Sequence, residues 1–230
     1  MGGIINSYTN LRGYAVKGLL IAVEGPDGCG KTTLVEELYQ AYTDLGVKVL
    51  KCSLFSDEEF NMQVKKHVVN GGGDNLANAL LMLSVIHQRY VDVIKPALDD
   101  GYLVLVDRWT SSTAIYHNCE GVVLKMIEVT RIAKPDLTLV LTVSDTVIHK
   151  RLQARVSVGL DDAADHASLT KISKLNQHYY CLLANTMRYE STLGPMYRIP
   201  GICSVSDVTA YISERFGVGA LQTYPILVTL

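Results

Sequence analysis

Gly25-Pro26-Asp27-Gly28-Cys29-Gly30-Lys31-Thr32-Thr33 is the stretch of sequence from which the fold can be predicted. It matches the phosphate-binding pattern G-x-x-x-x-G-K-[ST] at every fixed position. The apolar residues of Gly18–Glu24 before it predict a buried strand, and Leu34–Tyr39 after it has the pattern of an amphipathic helix. A strand, a glycine-rich loop and a helix in this order are the context that the motif requires, so we predict a phosphate cradle at Gly25–Thr33.

Each residue type in the phosphate cradle suits a polyphosphate ligand. Glycines allow consecutive backbone N–H groups to turn inward, and a helix beginning near Gly30 adds the positive end of its dipole. Lys31 is placed to reach the β- and γ-phosphates, and the Thr32 hydroxyl is placed to ligate Mg²⁺. The sequence therefore predicts a site for a polyphosphate and a magnesium ion.

The composition indicates a globular protein with one large core. The 230 residues are 48% hydrophobic and 19% charged, so we predict a single domain over residues 1–230, with its core at about 18–216. The formal net charge of −2 argues against an extended nucleic-acid surface, although a local basic groove would not change this sum. Five cysteines without a C-x-x-C pair favour a reducing cytoplasm. No apolar run approaches the ~18 residues needed to span a membrane.

Apolar runs suited to buried parallel strands alternate with helical stretches along the chain. This order predicts an α/β fold in which helices cover both faces of a parallel sheet. The runs are Leu19–Val23, Val47–Leu50, Leu103–Val106, Leu137–Val143 and Met196–Ile199. A final helix is predicted at Asp207–Phe216, and the apolar tail at 217–230 has no assigned role.

The longest predicted helix follows Gly71-Gly72-Gly73 and has Asp74 as its N-cap. Pro96 and Gly101 mark its end. We expect most of its apolar stripe to face the core. The stripe consists of Leu76, Leu80, Leu83, Val85, Ile86 and Val93.

An acid and a base, Asp107 and Arg108, stand at the end of the third apolar run. Ligands of open α/β sheets bind at the carboxyl ends of strands, so we expect both side chains to project toward the phosphate cradle. Asp107 would then hold Mg²⁺ or accept a proton from a phosphoryl acceptor, and Arg108 would grip a phosphoryl group. A salt bridge at the strand end is the alternative. The hydroxyl-rich stretch 111–117 follows where a substrate-binding segment would begin.

Three stretches together resemble the thymidylate kinase family. They are Glu24–Thr33, Val91–Leu98 and Asp107-Arg108-Trp109, the last with Ser112, Thr113 and Tyr116 at matching offsets. The similarity extends from about Leu19 to about Phe216, and Lys134–Leu141 is similar to the family's fourth strand.

The resemblance implies a P-loop kinase fold, with a five-stranded parallel sheet flanked by helices and a mobile lid. It also implies transfer of a phosphoryl group from ATP, bound with Mg²⁺, to a pyrimidine nucleoside monophosphate. Thr32 and Asp107 are implied to hold the metal, and Gly25–Thr33 to hold ATP. The residues implied to act in catalysis or to bind the acceptor are Lys31, Asp107, Arg108, Asp27, Ser112 and Tyr116.

The stretch at about 150–166 is similar to the family's lid. Arg151 and Arg155 share a face if this stretch is helical, so they are candidates to bind the charge that develops on the transferred phosphoryl group. Gly159-Leu160-Asp161 follows, and Asp162 occupies the position where lids that supply a catalytic arginine carry it. A solvated helix face is the alternative for both arginines.

The family pattern is missing on the acceptor side. Counted without gaps from Val91–Leu98, the aromatic residue on which thymine stacks falls at Met82, and the arginine that hydrogen-bonds the base falls at Ile86. Lys51–Asp57 also lacks the proline and arginine pattern that helps to hold the acceptor's phosphate. The candidate replacements, each with a surface or packing role as its alternative, are Lys51, Ser84, His87 and Arg89.

Donor-side residues are present while acceptor-side residues have changed, which favours an altered acceptor. Two kinase hypotheses remain open: one acts on dTMP or a near analogue, and the other, like a phage branch of the family, phosphorylates the hydroxymethyl group of 5-hydroxymethyluracil in DNA. A third is a nucleotide-binding switch without kinase activity. The sequence predicts the cytoplasm, or the host cytoplasm for a viral protein, and leaves open whether the chain is a homodimer.

Overall fold

The computed structural model describes residues 17–54, 59–69, 71–157, 168–201 and 203–219. Within these ranges the protein forms a five-stranded sheet in the order β2-β3-β1-β4-β5, and each pair of neighbouring strands is parallel. The strands are β1 Leu19–Glu24, β2 Val49–Ser53, β3 Leu103–Asp107, β4 Leu137–Thr142 and β5 Met196–Pro200. The five predicted strands are confirmed, although β2 begins at Val49 rather than Val47.

Helices cover both faces of the sheet. The hydrophobic core has two clusters on opposite faces, because alternate residues of β1 join different clusters: Leu20 and Ala22 join one, Ile21 and Val23 the other. The helices are α1 Lys31–Asp44, α2 Glu59–Val69, α3 Asn75–Arg89, α4 Lys95–Asp99, α5 Thr110–His117, α6 Glu120–Thr130, α7 Asp145–Ser157, α8 Leu169–Ala184, α9 Thr186–Leu193 and α10 Val205–Phe216. The predicted α/β class is therefore confirmed, and the final helix begins two residues earlier than predicted.

The strand register brings the carboxyl ends of the central strands to one edge of the sheet. Val23 of β1 pairs with Asp107 of β3 on one side and with Leu139 of β4 on the other. β1 leads directly into the phosphate cradle, and β3 ends at Asp107. The two stretches that the sequence singled out consequently lie side by side.

The apolar stripe of α3 is only partly buried. Leu83, Val85 and Ile86 belong to the core, as predicted, whereas Leu76 and Leu80 are 43% and 40% exposed. Leu76 lies in the first turn of the helix, next to an exposed glycine turn, and Leu80 lies at the flank of the buried face. The prediction that most of the stripe faces the core is therefore wrong in part, because three of its six residues are buried while Leu76 and Leu80 are exposed and Val93 is half-buried.

A π-helical turn at Tyr90–Ile94 divides the predicted long helix into α3 and α4. The helix begins as predicted, because the Asp74 side chain accepts a hydrogen bond from the Ala77 N–H at 2.7 Å. A π turn has an i→i+5 hydrogen-bonding pattern and accommodates an extra residue. Residues on its two sides therefore do not share faces as they would in a continuous α-helix.

Several sequence predictions lie outside the described residues. They concern Gly159-Leu160-Asp161 and Asp162 of the predicted lid, Phe55–Asp57 after β2, and residues 220–230 of the tail. Among the helices that the structure does describe, none is long and apolar enough to cross a membrane.

Leu105→Ala tests the core on the α1 side of the sheet. Leu105 is fully buried in β3, so removal of its side-chain carbons should lower the free energy of unfolding by about 2–5 kcal/mol. Denaturant titration followed by circular dichroism measures this difference. Val129→Ala is the control, because Val129 is 76% exposed on α6 and its truncation should change stability by no more than about 0.5 kcal/mol. Equal stability of the two variants would contradict this placement of Leu105.

Candidate active site

The phosphate cradle has the backbone conformation that its glycines allow. Gly28 and Gly30 have φ angles of +79° and +108°, in the region that residues with a Cβ rarely adopt. A Cβ on Gly28 would also lie 3.0 Å from Cγ of Leu152 in α7. Gly30 directly precedes α1, so the first N–H groups of that helix open onto the cradle, as predicted.

Lys31 is buried at the first position of α1. Its ammonium group donates a hydrogen bond to the carbonyl oxygen of Pro26 at 2.7 Å. Burial, and secondarily the nearby Arg108 guanidinium, lower the pKa of Lys31. A polyphosphate in the cradle would bring the negative charge that favours the charged form of this lysine.

Thr32 and Asp107 meet where α1 begins and β3 ends. The Thr32 hydroxyl donates a hydrogen bond to Oδ2 of Asp107 at 2.6 Å. The other carboxylate oxygen, Oδ1, is buried and has no hydrogen-bond partner among the described residues. A hydroxyl and a carboxylate with an unsatisfied oxygen are hard oxygen ligands of the kind that Mg²⁺ takes, so this pair fits the predicted metal site.

Arg108 turns toward the phosphate cradle. It has a positive φ of 71°, and its guanidinium forms a salt bridge with Asp27. The same group donates to the Ser112 hydroxyl at 3.3 Å and lies 5.0 Å from the ring centre of Tyr116. Asp107 faces Thr32 instead, so the alternative of a simple salt bridge between Asp107 and Arg108 is not what the structure shows.

Asp27 is held from two directions. Besides its salt bridge with Arg108, it exchanges two hydrogen bonds with Tyr116 of α5: the Tyr116 hydroxyl accepts from the Asp27 N–H at 3.1 Å and donates to Oδ2 at 3.0 Å. Burial raises the pKa of Tyr116, so its hydroxyl stays a donor. The carboxylate of Asp27 is therefore fixed beside the cradle.

A cavity of about 160 Å³ brings most of the predicted site together. Positive and negative side chains face each other across it. Its lining residues are Asp27, Gly28, Gly30, Lys31, Thr32, Thr33, Asp107, Arg108 and Arg155. The Cys29 side chain is buried, and burial raises the pKa of its thiol, which favours the neutral form.

α7 carries both predicted arginines to the phosphate cradle. Arg151 donates hydrogen bonds to the carbonyl oxygens of Gly28 and Cys29, at 3.2 and 3.0 Å. Arg155, one turn later, lines the cavity. The predicted shared helix face is therefore present, and the catalytic role of these arginines stays a prediction.

The predicted acceptor residues are not all at the cavity. Met82 and Ile86 are buried in the core cluster that contains Trp109, and Ile86 is completely inaccessible. Ser112 is also buried, with its hydroxyl turned toward Glu24. Substrate binding by these three residues stays a prediction.

Two of the candidate replacements on the acceptor side have partners of their own. Lys51 forms a salt bridge with Glu36 at 2.5 Å, on the surface. Arg89 donates from Nε to the sulfur of Cys52 at 3.3 Å, near the carboxyl end of β2. Neither lines the cavity described above.

Sequence reasoning assigned no role to Glu24 and Tyr179. Glu24 ends β1 and is completely buried, where its carboxylate accepts hydrogen bonds from the backbone of Trp109 and Ser112. A charged residue at the end of an apolar strand could have signalled this role, because a buried charge requires partners. Tyr179 on α8 also contacts Glu24, and no local pattern distinguishes it from the adjacent Tyr180.

The sequence of the chain is similar to those of known proteins. A family model described as thymidylate kinase matches residues 23–192. A thymidylate kinase of Caldicellulosiruptor saccharolyticus is 32% identical over 146 residues, which are 60% of this chain and 71% of that protein. A probable thymidylate kinase of Archaeoglobus fulgidus is 30% identical over 173 residues, or 73% of this chain and 82% of the relative. A thymidylate kinase of Shouchella clausii is 28% identical over 176 residues, with the same two coverages.

Lys31→Ala should weaken the binding of ATP. Loss of a hydrogen bond to a charged group costs about 1.5–3 kcal/mol, which corresponds to roughly a tenfold to hundredfold higher Kd. Calorimetric titration with ATP measures this change. Lys125→Ala is the control, because Lys125 is exposed on α6, away from the cradle. An unchanged affinity in the Lys31 variant would show that the cradle does not bind triphosphate through this residue.

Proposed function

The chain belongs to the thymidylate kinase family, and from this premise we propose that it transfers the γ-phosphoryl group of ATP to the phosphate of a thymidylate-like pyrimidine deoxynucleotide. Membership of this family identifies the protein as an ATP-dependent kinase. The observation that carries the proposal is the convergence of Lys31, Arg108 and Arg155 on one cavity, beside the Thr32–Asp107 pair.

Phosphoryl transfer needs position and compensating charge more than covalent chemistry. The cradle and the start of α1 supply backbone N–H groups for the donor's phosphates, and Lys31 supplies a positive charge at their centre. Mg²⁺ held by Thr32 and Asp107 would neutralise further charge on the phosphate oxygens. Donor binding is thus assigned to the loop between β1 and α1.

Arg108 and Arg155 approach the cavity from different elements. Arg108 lies directly after β3, and Arg155 lies on α7. Placed on two sides of the transferred group, their guanidinium groups would bind the negative charge on its oxygens while it moves between donor and acceptor. Asp27 holds Arg108 in this position, and Tyr116 of α5 in turn holds Asp27 through a hydrogen bond.

The acceptor side supports a second candidate function. Both positions at which the base contacts were expected, Met82 and Ile86, are apolar and buried. An acceptor held through phosphates that flank a target base would not require these contacts, which favours the hydroxymethyl group of 5-hydroxymethyluracil in DNA. Binding of that kind depends on counterion release and weakens steeply as salt increases.

One assay separates the candidates. Purified protein is incubated with γ-labelled ATP and with dTMP, with DNA that contains 5-hydroxymethyluracil, or with no acceptor. Label on dTMP supports the first proposal, and label on the DNA, decreasing with added salt, supports the second. Binding of ATP without label on either acceptor would overturn both and leave a nucleotide-binding switch.

Asp107→Asn and Arg108→Ala should respond differently to magnesium. The asparagine variant loses the carboxylate charge proposed to hold Mg²⁺, so its activity should require a higher concentration of the metal. The alanine variant loses a contact to the phosphoryl group, so its activity should decrease at every concentration. Initial rates across a magnesium titration make the comparison. Superimposable normalised profiles would contradict the two assigned roles.

Use of free dTMP should be weak. Loss of an aromatic stacking partner and of a charged hydrogen bond, at about 1 and 1.5–3 kcal/mol, corresponds to roughly a hundredfold or more in affinity. The KM for dTMP should therefore lie above the usual range of about 1 μM to 1 mM, or turnover should be undetectable. Efficient turnover of dTMP at micromolar concentration would disprove the altered acceptor.

Met82→Phe probes the same site with a small change of volume. If the base lies against position 82, a restored aromatic face should lower the KM for dTMP by about two- to tenfold. Met187→Phe is the control, because Met187 is 93% exposed on α9. Ile86→Arg would restore the family's arginine but is a less direct probe than Met82→Phe, since it would place a guanidinium at a completely buried position.

A further inference from the structure

A buried polar network connects the end of β1 to α5 and α8. The Glu24 carboxylate is inaccessible to solvent and accepts from the N–H groups of Trp109 and Ser112 at 2.8 and 3.2 Å. Its Oε2 accepts from the Ser112 hydroxyl and from the Tyr179 hydroxyl, the latter at 3.3 Å. Four donors thus stabilise one buried carboxylate.

Ser112 links this network to Arg108. Its hydroxyl donates to Glu24, lies 3.1 Å from the Tyr179 hydroxyl, and accepts from Nη1 of Arg108 at 3.3 Å. Arg108 therefore contacts the network on one side and forms its salt bridge with Asp27 on the other. The guanidinium is fixed between the two.

The backbone around Arg108 needs such support. Arg108 has a left-handed φ of 71°, a conformation that costs energy for a residue with a Cβ. Its N–H donates to the Val23 carbonyl at 3.0 Å, and the next residue, Trp109, donates to Glu24. Glu24 also places a carboxylate at the start of α5, where the helix dipole favours negative charge. The turn from β3 to α5 is thereby held to the end of β1.

We propose that Glu24, Ser112 and Tyr179 are positioning residues that fix the Arg108 guanidinium at the phosphoryl-transfer site, and that Tyr179 makes α8 part of this site. The inference rests on the proposed kinase function. Because Tyr179 comes from a helix distant in sequence, the orientation of Arg108 depends on how α8 packs against β1 and α5.

Burial shifts the pKa of two groups in this network, Tyr179 and Glu24. Burial raises the pKa of Tyr179, and the adjacent Glu24 raises it further, so the phenol stays protonated and donates. Burial also raises the pKa of Glu24, while its hydrogen bonds from Ser112 and Trp109 oppose this change. The Glu24 carboxylate is thus surrounded by donors from three residues, Trp109, Ser112 and Tyr179.

Tyr179→Phe removes one hydroxyl and retains the ring. Loss of this hydrogen bond should lower kcat by about two- to tenfold, while the KM for ATP should stay within about twofold because the cradle is unchanged. Tyr180→Phe is the matched control, because Tyr180 is 42% exposed on the same helix and should have no effect. Thermal denaturation of both variants checks that they are folded.

A double-mutant cycle tests whether the effect acts through Arg108. In an Arg108→Ala background, Tyr179→Phe should change kcat by less than about 1.5-fold, because the group that it positions is absent. Full additivity of the two changes would overturn the proposal. If Tyr179→Phe acted through a general loss of stability, it would lower kcat in the Arg108→Ala variant as well. The two changes would then be additive instead of coupled.

A chemical measurement tests the proposal without catalysis. Phenylglyoxal modifies accessible arginines, and peptide mass spectrometry gives the rate at each site. Tyr179→Phe and Ser112→Ala should each raise the rate at Arg108 several-fold and leave exposed Arg131 unchanged. Unchanged rates at Arg108 would overturn the positioning role. If the unaltered protein transfers no phosphoryl group, the proposed function fails, and these rates still decide the role of the network.

Discussion

The parallel pairing of β1 with β3 is the constraint on which the site depends. Because Val23 lies opposite Asp107, the chain leaves both strands at the same edge of the sheet. The chain after β1 turns through the cradle into α1, and the chain after β3 turns through Arg108 into α5. A shift of the register would separate Thr32 from Asp107 and Arg108 from Asp27 at once, so strand pairing and site geometry cannot vary independently.

The charges at this edge are unequally compensated. Arg108 has Asp27 as its carboxylate partner, and Glu24 has four hydrogen-bond donors, but Lys31 donates to a carbonyl oxygen. A buried charge without a full partner is costly, which is why the pKa of Lys31 is lowered. A polyphosphate in the cradle would bring negative charge to Lys31. Glu24, in contrast, has its hydrogen-bond donors within the protein.

A feature could be predicted from the sequence when the residues that form it lie close together along the chain. The cradle is a local pattern, and buried strands have continuous apolar runs, so both were predictable. Met82 and Ile86 were located by counting back from Val91–Leu98, and the π turn at Tyr90–Ile94 overlaps the start of that stretch. Such a turn changes which residues share a face, a geometry that residue types do not signal. Tyr179 lies 155 residues from Glu24, so no periodicity relates the two.

The cavity at the phosphate cradle and the positions predicted to contact the base differ in their exposure. The donor side has a cavity of about 160 Å³ lined by charged and backbone groups, which is smaller than the roughly 300–1,000 Å³ of typical ligand pockets. Its size and charged lining suit phosphate groups. Met82 and Ile86, the positions predicted to contact the base, are packed in the core. To place a base there, the protein would have to expose this surface at about 25 cal/mol for each Å² lost from the core. An acceptor held at the sheet edge by its phosphates avoids that cost, because Arg108 and Arg155 already face the edge. The cavity is lined by charged groups, whereas Met82 and Ile86 are packed in the core, so the two proposals for this kinase differ in the acceptor rather than in the donor.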